Sequence, residues 1–163
     1  HAPRERTPAP RANIRLAMRR EPSQLTPPPA GANPFSYPRL VQPILDRHCV
    51  SCHAKNRPKA PELAKGNFAK HPRKFYTSYD SLRPHAFFYE PAAFTRPSTI
   101  PGQFGARASK LYQLLSKGHH GVKLSREEMA RISLWLDCNS DFFGAYHDIA
   151  AQAAGQIVRP TLE

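Results

Sequence analysis

Cys49, Cys52 and His53 are the residues of this 163-residue chain whose types and spacing point most directly to chemistry. Cys49-Val50-Ser51-Cys52-His53 reads C-x-x-C-H, the spacing of covalent c-type haem attachment. Two thiols three positions apart can each add to one vinyl group of a haem. The histidine that follows is then held against the iron as its proximal ligand. Parts of the motif also serve other chemistries: a C-x-x-C redox pair, half of a zinc site or a structural disulfide. The chain has three cysteines, so Cys138 is left over and is expected as a buried helix thiol.

A haem gripped by His53 has a second face, and what fills it separates an electron carrier from a catalyst. The candidates are His119, His120, Met129, His71, His85 and His147. His119 and His120 follow His53 by 66 and 67 residues, enough chain to pass round a cofactor and return on its far side. His119 is the expected distal ligand, with His120 and then Met129 as alternatives. Met18 is expected to pack rather than ligate.

These residues need elements to position them. Leu40, Val41, Ile44, Leu45 and His48 recur at helical spacing and run into Cys49. Pro38 suits a helix start, and Pro43 predicts a kink or a later start near Leu40. His48 is expected on the helix surface. Residues 54–75 read as a basic loop around a haem edge, with one or two cations for propionates. Thr77-Ser78 reads as the cap of a short helix, and 84–106 as an aromatic-rich loop. The spacing predicts a helix over 106–117, ended by Gly118. Ser125-Arg126-Glu127-Glu128 is a capping box that opens a helix reaching about Asn139.

Composition bounds the rest. The length suits one small domain, and 18 prolines demand much loop. Eight of them fall in residues 1–34, which read as a Pro/Arg-rich extended arm or linker. Within that arm, residues 13–18 alternate in a way that suits a short strand. A c-type cytochrome domain is expected over 35–148, with a frayed C-terminal tail over 149–163. The formal charge of +12 favours an acidic partner. The basic residues are scattered and no nucleic-acid motif is present, so nucleic acid is not an expected partner. No apolar run is long enough for a membrane span. Covalent haem attachment implies a periplasmic or comparable compartment outside the cytoplasmic membrane, and a processed chain or a piece of a longer protein.

The segment 41–53, the run Gly118-His119-His120-Gly121-Val122-Lys123-Leu124-Ser125-Arg126-Glu127-Glu128, Trp135-Leu136-Asp137-Cys138-Asn139 and Phe143-Gly144-Ala145-Tyr146 resemble a known group. It comprises bacterial c-type cytochrome domains related to the C-terminal haem domain of the hydrazine synthase alpha subunit. The resemblance covers most of residues 37–146. It implies a bis-histidine haem serving electron transfer, often in a domain that follows a β-propeller. It also favours His119 over Met129 and makes residues 13–18 the strand leaving a preceding domain. This sequence has one C-x-x-C-H, and synthase activity is not carried over.

The expectation is therefore an all-α, cytochrome c-like fold with class-I-like short helices around one covalent haem c and its iron. Its expected function is electron transfer with a redox protein partner, without enzymatic turnover. Two alternatives stand beside it. One is a five-coordinate haem enzyme or ligand-binding protein acting on a small nitrogen compound or peroxide. The other is a basic docking subunit of a larger complex.

Overall fold

The structure is a computed structural model that describes residues 19–28, 31–89 and 100–161. The expected strand at 13–18, Met18 and part of the aromatic-rich loop lie outside the described residues. The described residues are helical, with no strand beyond a single bridge between His119 and Val122. The all-α expectation holds at that level.

Two prolines shape the entry to the motif. Helix α1 (Tyr37–Leu40) and helix α2 (Gln42–His48) are one apolar-periodic run, cut at Val41. Pro43 has no N–H to donate to a preceding turn, so the helix restarts with Pro43 where no donor is needed. Cys49 then breaks the path again, with φ −122°, before α3 (Val50–Lys55). The two thiols therefore straddle a helix junction, and His53 rides on α3.

Helix α4 (Thr77–Leu82) corrects the expected cap. Tyr76 is its N-cap and makes no side-chain cap bond. The first amides find backbone partners instead, Thr77 N donating to Lys65 O at 2.9 Å and Ser78 N to Ala64 O at 3.1 Å. Ser78 is thus free to turn into the core. There its hydroxyl accepts from Tyr37 Oη at 3.1 Å and donates to Gln42 Oε1. Gln42 Nε2 donates onward to Leu63 O at 3.1 Å. A buried polar group without such partners would be costly, and here each is satisfied.

The helix expected over 106–117 is two. Helix α5 (Gly105–Ala108) ends where Ser109 turns extended. The Ser109 hydroxyl then accepts from Tyr112 N at 3.0 Å, opening α6 (Lys110–Lys117). Serine competes with helical backbone in this way, and a cap here is worth about 1 kcal/mol. Gly118 ends α6 at φ +93°, as the sequence predicts. Helix α7 (Arg126–Asp137) begins at the capping box and stops at Cys138. Asn139 and Ser140 follow with φ of 61° and 55°, so the chain has already left the helix. Cys138 is consequently exposed, not the buried helix thiol expected.

The core gathers α1, α2 and α7. Tyr37, Val41, Ile44 and Leu45 pack with Ile132, Trp135 and Leu136. Tyr76, Tyr79 and Phe142 close round the Tyr37 ring, with centroids 5.1–6.4 Å away. Ring pairs at such distances add about 0.5–1.5 kcal/mol each beyond burial. Gly144 lets the chain pass here, since a Cβ on it would meet Phe35 O at 2.3 Å.

The C-terminal region also departs from expectation. Residues 149–153 form α8 (Ile149–Ala153), and Gln152 on it is 2% exposed. Gln152 Oε1 accepts from Gly144 N and Ala145 N, and its Nε2 donates to Ala145 O and His147 O. All four capacities of one amide are used, which fastens the segment expected to fray. Gln152→Ala should strand these groups and destabilise the protein by about 1–3 kcal/mol. A urea unfolding curve shifted to lower midpoint, with unchanged slope, is the expected result.

Candidate functional site

His53 sits on α3 with a defined tautomer. Its Nδ1 lies 2.9 Å from Pro61 O, and a carbonyl can only accept, so Nδ1 carries the hydrogen. Nε2 is left with its lone pair outward, the form a metal takes. The loop bearing Pro61 is itself braced. Asn56 Nδ2 donates to Cys52 O at 2.8 Å, and Asn56 O accepts from Lys59 N and Ala60 N. Arg57 pairs with Glu62, and Leu63 is buried at the end of the loop.

His119 arrives from the other side on a tight turn. Val122 N donates to His119 O at 2.9 Å, while His120 and Gly121 have φ of 47° and 77°. Positive φ at both central residues is the type I′ pattern, which favours Gly at the second position. The turn brings the His119 ring to 6.1 Å from the His53 ring, centroid to centroid, at an interplanar angle of 52°. Two imidazoles on opposite sides of one metal, nitrogens about 2 Å from it and ring centres roughly 1 Å further back, stand about 6 Å apart. Rotation of either ring about the common axis permits the observed angle.

Clefts open on both sides of this pair. One of about 420 Å³ is lined by Cys52, His53, Asn56, Lys59, Pro61 and His119, with Ala60 and His120. The other, about 320 Å³, includes Arg47, His48, Cys49, Cys52, His53, His119 and Lys123. Cys52 borders both clefts and Cys49 borders the second. The residues present fit a flat cofactor tethered at one edge and held from both faces.

The electrostatics suit ligands rather than acids or nucleophiles. Partial burial lowers the His119 pKa, with further lowering from His120 and His53, a shift that favours the neutral imidazole. Burial and the neighbouring Cys52 raise the Cys49 thiol. A C-x-x-C redox pair needs a depressed thiol to attack, so that use of the motif finds no support in Cys49.

The structure brings Cys49, Cys52, His53 and His119 together. His120 borders both clefts, is exposed, and meets His119 edge-on at 4.5 Å between centroids. The remaining candidates are elsewhere. His71 Nδ1 accepts from Phe75 N at 3.2 Å, so Nε2 holds the proton and donates to Asp80 at 2.8 Å. Both of its nitrogens are occupied. His85 is exposed in a 3-10 turn, Arg83–His85. Met129 is half-buried on α7 and lines neither cleft. His147 lines a separate aromatic cleft of about 600 Å³ with Phe75, Tyr79, Phe142 and Phe143. That larger cleft contains neither thiol nor a facing imidazole pair.

Sequence reasoning missed the group that joins the two halves of the site. His48 is not a free surface residue. Its Nε2 lies 3.0 Å from Glu128 Oε1, which also accepts from Arg47 at 2.8 Å. Glu128 Oε2 meanwhile accepts from Ser125 N at 2.9 Å, completing the capping box. The capping pattern identified Glu128, but nothing in the sequence tied it to residues 80 positions earlier. The Pro61 carbonyl was also unreadable, because a backbone acceptor carries no residue signature.

The Ser125 amide above all, with help from His48 and against the opposing effect of burial, lowers the pKa of the Glu128 carboxyl from an ordinary 4.5 to about 2. A depressed carboxylate stabilises the fold above its ordinary pKa and loses that contribution as pH falls through 4.5 toward 2. The stability gap between the native protein and Glu128→Gln should therefore be largest near neutral pH and vanish below about pH 2. Chemical unfolding of both proteins across that range checks it. No family model, no curated protein and no solved structure matches the chain.

Proposed function

We propose that this chain is a monohaem c-type cytochrome that carries one electron at a time between redox partners. The observation that carries the reading is the His53–His119 pair, 6.1 Å apart beside the C-x-x-C thiols. Cys49 and Cys52 would tether haem c through thioethers. His53 and His119 would grip its iron from opposite faces, in a cytochrome c-like arrangement of short helices. The haem supplies a one-electron iron couple when bound.

The chain's own residues set what that couple does. Pro61 O holds Nδ1–H of His53, which fixes the ring and makes Nε2 the better donor. His119 would hold the second side of the iron with its imidazole, which would favour a low-potential centre and leave no place for a substrate. Arg47, Lys59 and Lys123 border the clefts and are exposed. With the +12 formal charge, they suit an acidic redox partner drawn in by steering. A compartment outside the cytoplasmic membrane belongs to the same proposal, since thioether attachment is made there. None of the helices described is long and apolar enough to cross a membrane.

Two results are expected. Magnetic circular dichroism of the oxidised protein should show bis-imidazole ligation, and His119→Ala should abolish it while His120→Ala leaves it intact. Unchanged ligation in His119→Ala would remove His119 from the site. Electron transfer to an acidic partner should also slow steeply between low salt and about 0.15 M, where the Debye length is about 8 Å. A salt-independent rate would remove the steering role of the basic rim.

A further inference from the structure

His119 is supported unequally at its two ends. On one side Gly118 releases the chain from α6 at φ +93°, and the turn's backbone bond, Val122 N to His119 O, is internal to it. On the other side the chain passes Leu124, which packs on the core, and enters α7 at Ser125. Glu128 stands at that entry. One carboxylate oxygen holds Ser125 N at 2.9 Å. The other reaches across to α2, to Arg47 at 2.8 Å and His48 at 3.0 Å. His48 directly precedes Cys49, the first residue of the haem motif.

We infer that Glu128 is a latch: it fixes the segment carrying His119 against the helix carrying the thiols, and so keeps the second face of the site closed. Resting on the bis-histidine reading above, it is a positioning residue, acting through Arg47, His48 and the Ser125 amide. Its side chain is only 11% exposed, whereas that of Arg47 is 68% exposed. The carboxylate is thus the shielded hub, and charge-assisted bonds to it are stronger than a surface ion pair. Three donors on one carboxylate make the two halves of the site move together. Without it, the Gly118–Gly121 turn is anchored by Leu124 and its own internal bond, and His119 can leave its position. The open face would then admit a small neutral ligand of the carbon monoxide class.

The test compares haem-loaded proteins after equal haem content is confirmed for each. Carbon monoxide binding to the reduced protein and the low-spin signature of the oxidised protein are the readouts. The wild type should bind carbon monoxide slowly and incompletely. Glu128→Ala should raise the open fraction roughly tenfold or more and lose part of the low-spin signal. Should Glu128→Ala fold poorly, Arg47→Ala combined with His48→Ala removes both α2 donors of the latch and leaves the α7 cap in place. It should produce a smaller rise in the same direction. Ser125→Ala is the control, since it removes the cap hydroxyl but leaves the carboxylate on Arg47 and His48. It should lower stability by an ordinary cap's worth with carbon monoxide binding unchanged.

A Glu128→Ala or Arg47→Ala/His48→Ala protein as refractory to carbon monoxide as the wild type overturns the latch alone. So does a Ser125→Ala protein as reactive as Glu128→Ala, because general helix loosening would then explain the effect. A wild type that binds carbon monoxide fully and at once overturns the bis-histidine reading, and the latch with it.

Discussion

Two imidazoles 6.1 Å apart, one braced by a backbone carbonyl and the other carried on a tight turn, are the constraint on which the site depends. A histidine side chain has enough rotational freedom to miss a partner by several ångströms. Here the freedom is removed on one side by a carbonyl at 2.9 Å that settles the His53 tautomer. On the other side a two-residue turn closed by Val122 N to His119 O sets where the His119 backbone stands. Both devices are short and local. Neither requires the haem to define the ring-to-ring spacing, and such a site is pre-organised for a ligand, which lowers the cost of binding it.

The fold makes those local devices hold. α1 and α2 carry apolar residues into a core of stacked and edge-on aromatic rings around Tyr37 and Trp135, and so fix where Cys49 emerges. α7 packs against the same core through Ile132, Trp135 and Leu136, and so fixes where Ser125 begins. His53 and His119 thus descend from two regions whose helices share one core. Glu128 adds a direct tie at the ends nearest the site, where core packing has given way to loop. The Tyr37–Ser78–Gln42 bonds add rigidity within the core, since the side-chain polar atoms of these three residues all have partners.

Much of this was legible in the sequence where the signal was local. C-x-x-C-H, the Ser125–Glu128 box, the Gly118 stop and the Pro43 kink all depend on residues within a few positions of one another. The Ser109 break was missed because Ala106–Lys117 keeps its apolar spacing across the interruption, and a lone serine does not announce whether it caps. Cys138 was placed in a helix because the run through Trp135 and Leu136 gave no hint that the helix ends at Asp137. Thr77 or Ser78 suits a cap by residue type, but tertiary burial claims Ser78 instead. Gln152 falls in the Ala-rich segment expected to fray, and its partners at 144, 145 and 147 are backbone atoms that carry no residue signature. The approach of His119 to His53 was legible because a separation of 66 residues leaves enough chain to turn back, and Gly118 marks where it turns. The Glu128 contact was not, because contacts across 80 residues follow from the assembled fold alone.

The proposal stands or falls on a porphyrin joined covalently to this chain. Denaturing intact-mass measurement is the direct test, on protein produced in a host that carries c-type haem attachment machinery. The account predicts a mass equal to the polypeptide plus one haem, shifting to the bare polypeptide when Cys49 and Cys52 are both replaced by alanine. A wild-type chain that unfolds to the bare polypeptide mass, with any colour lost on unfolding, would contradict it.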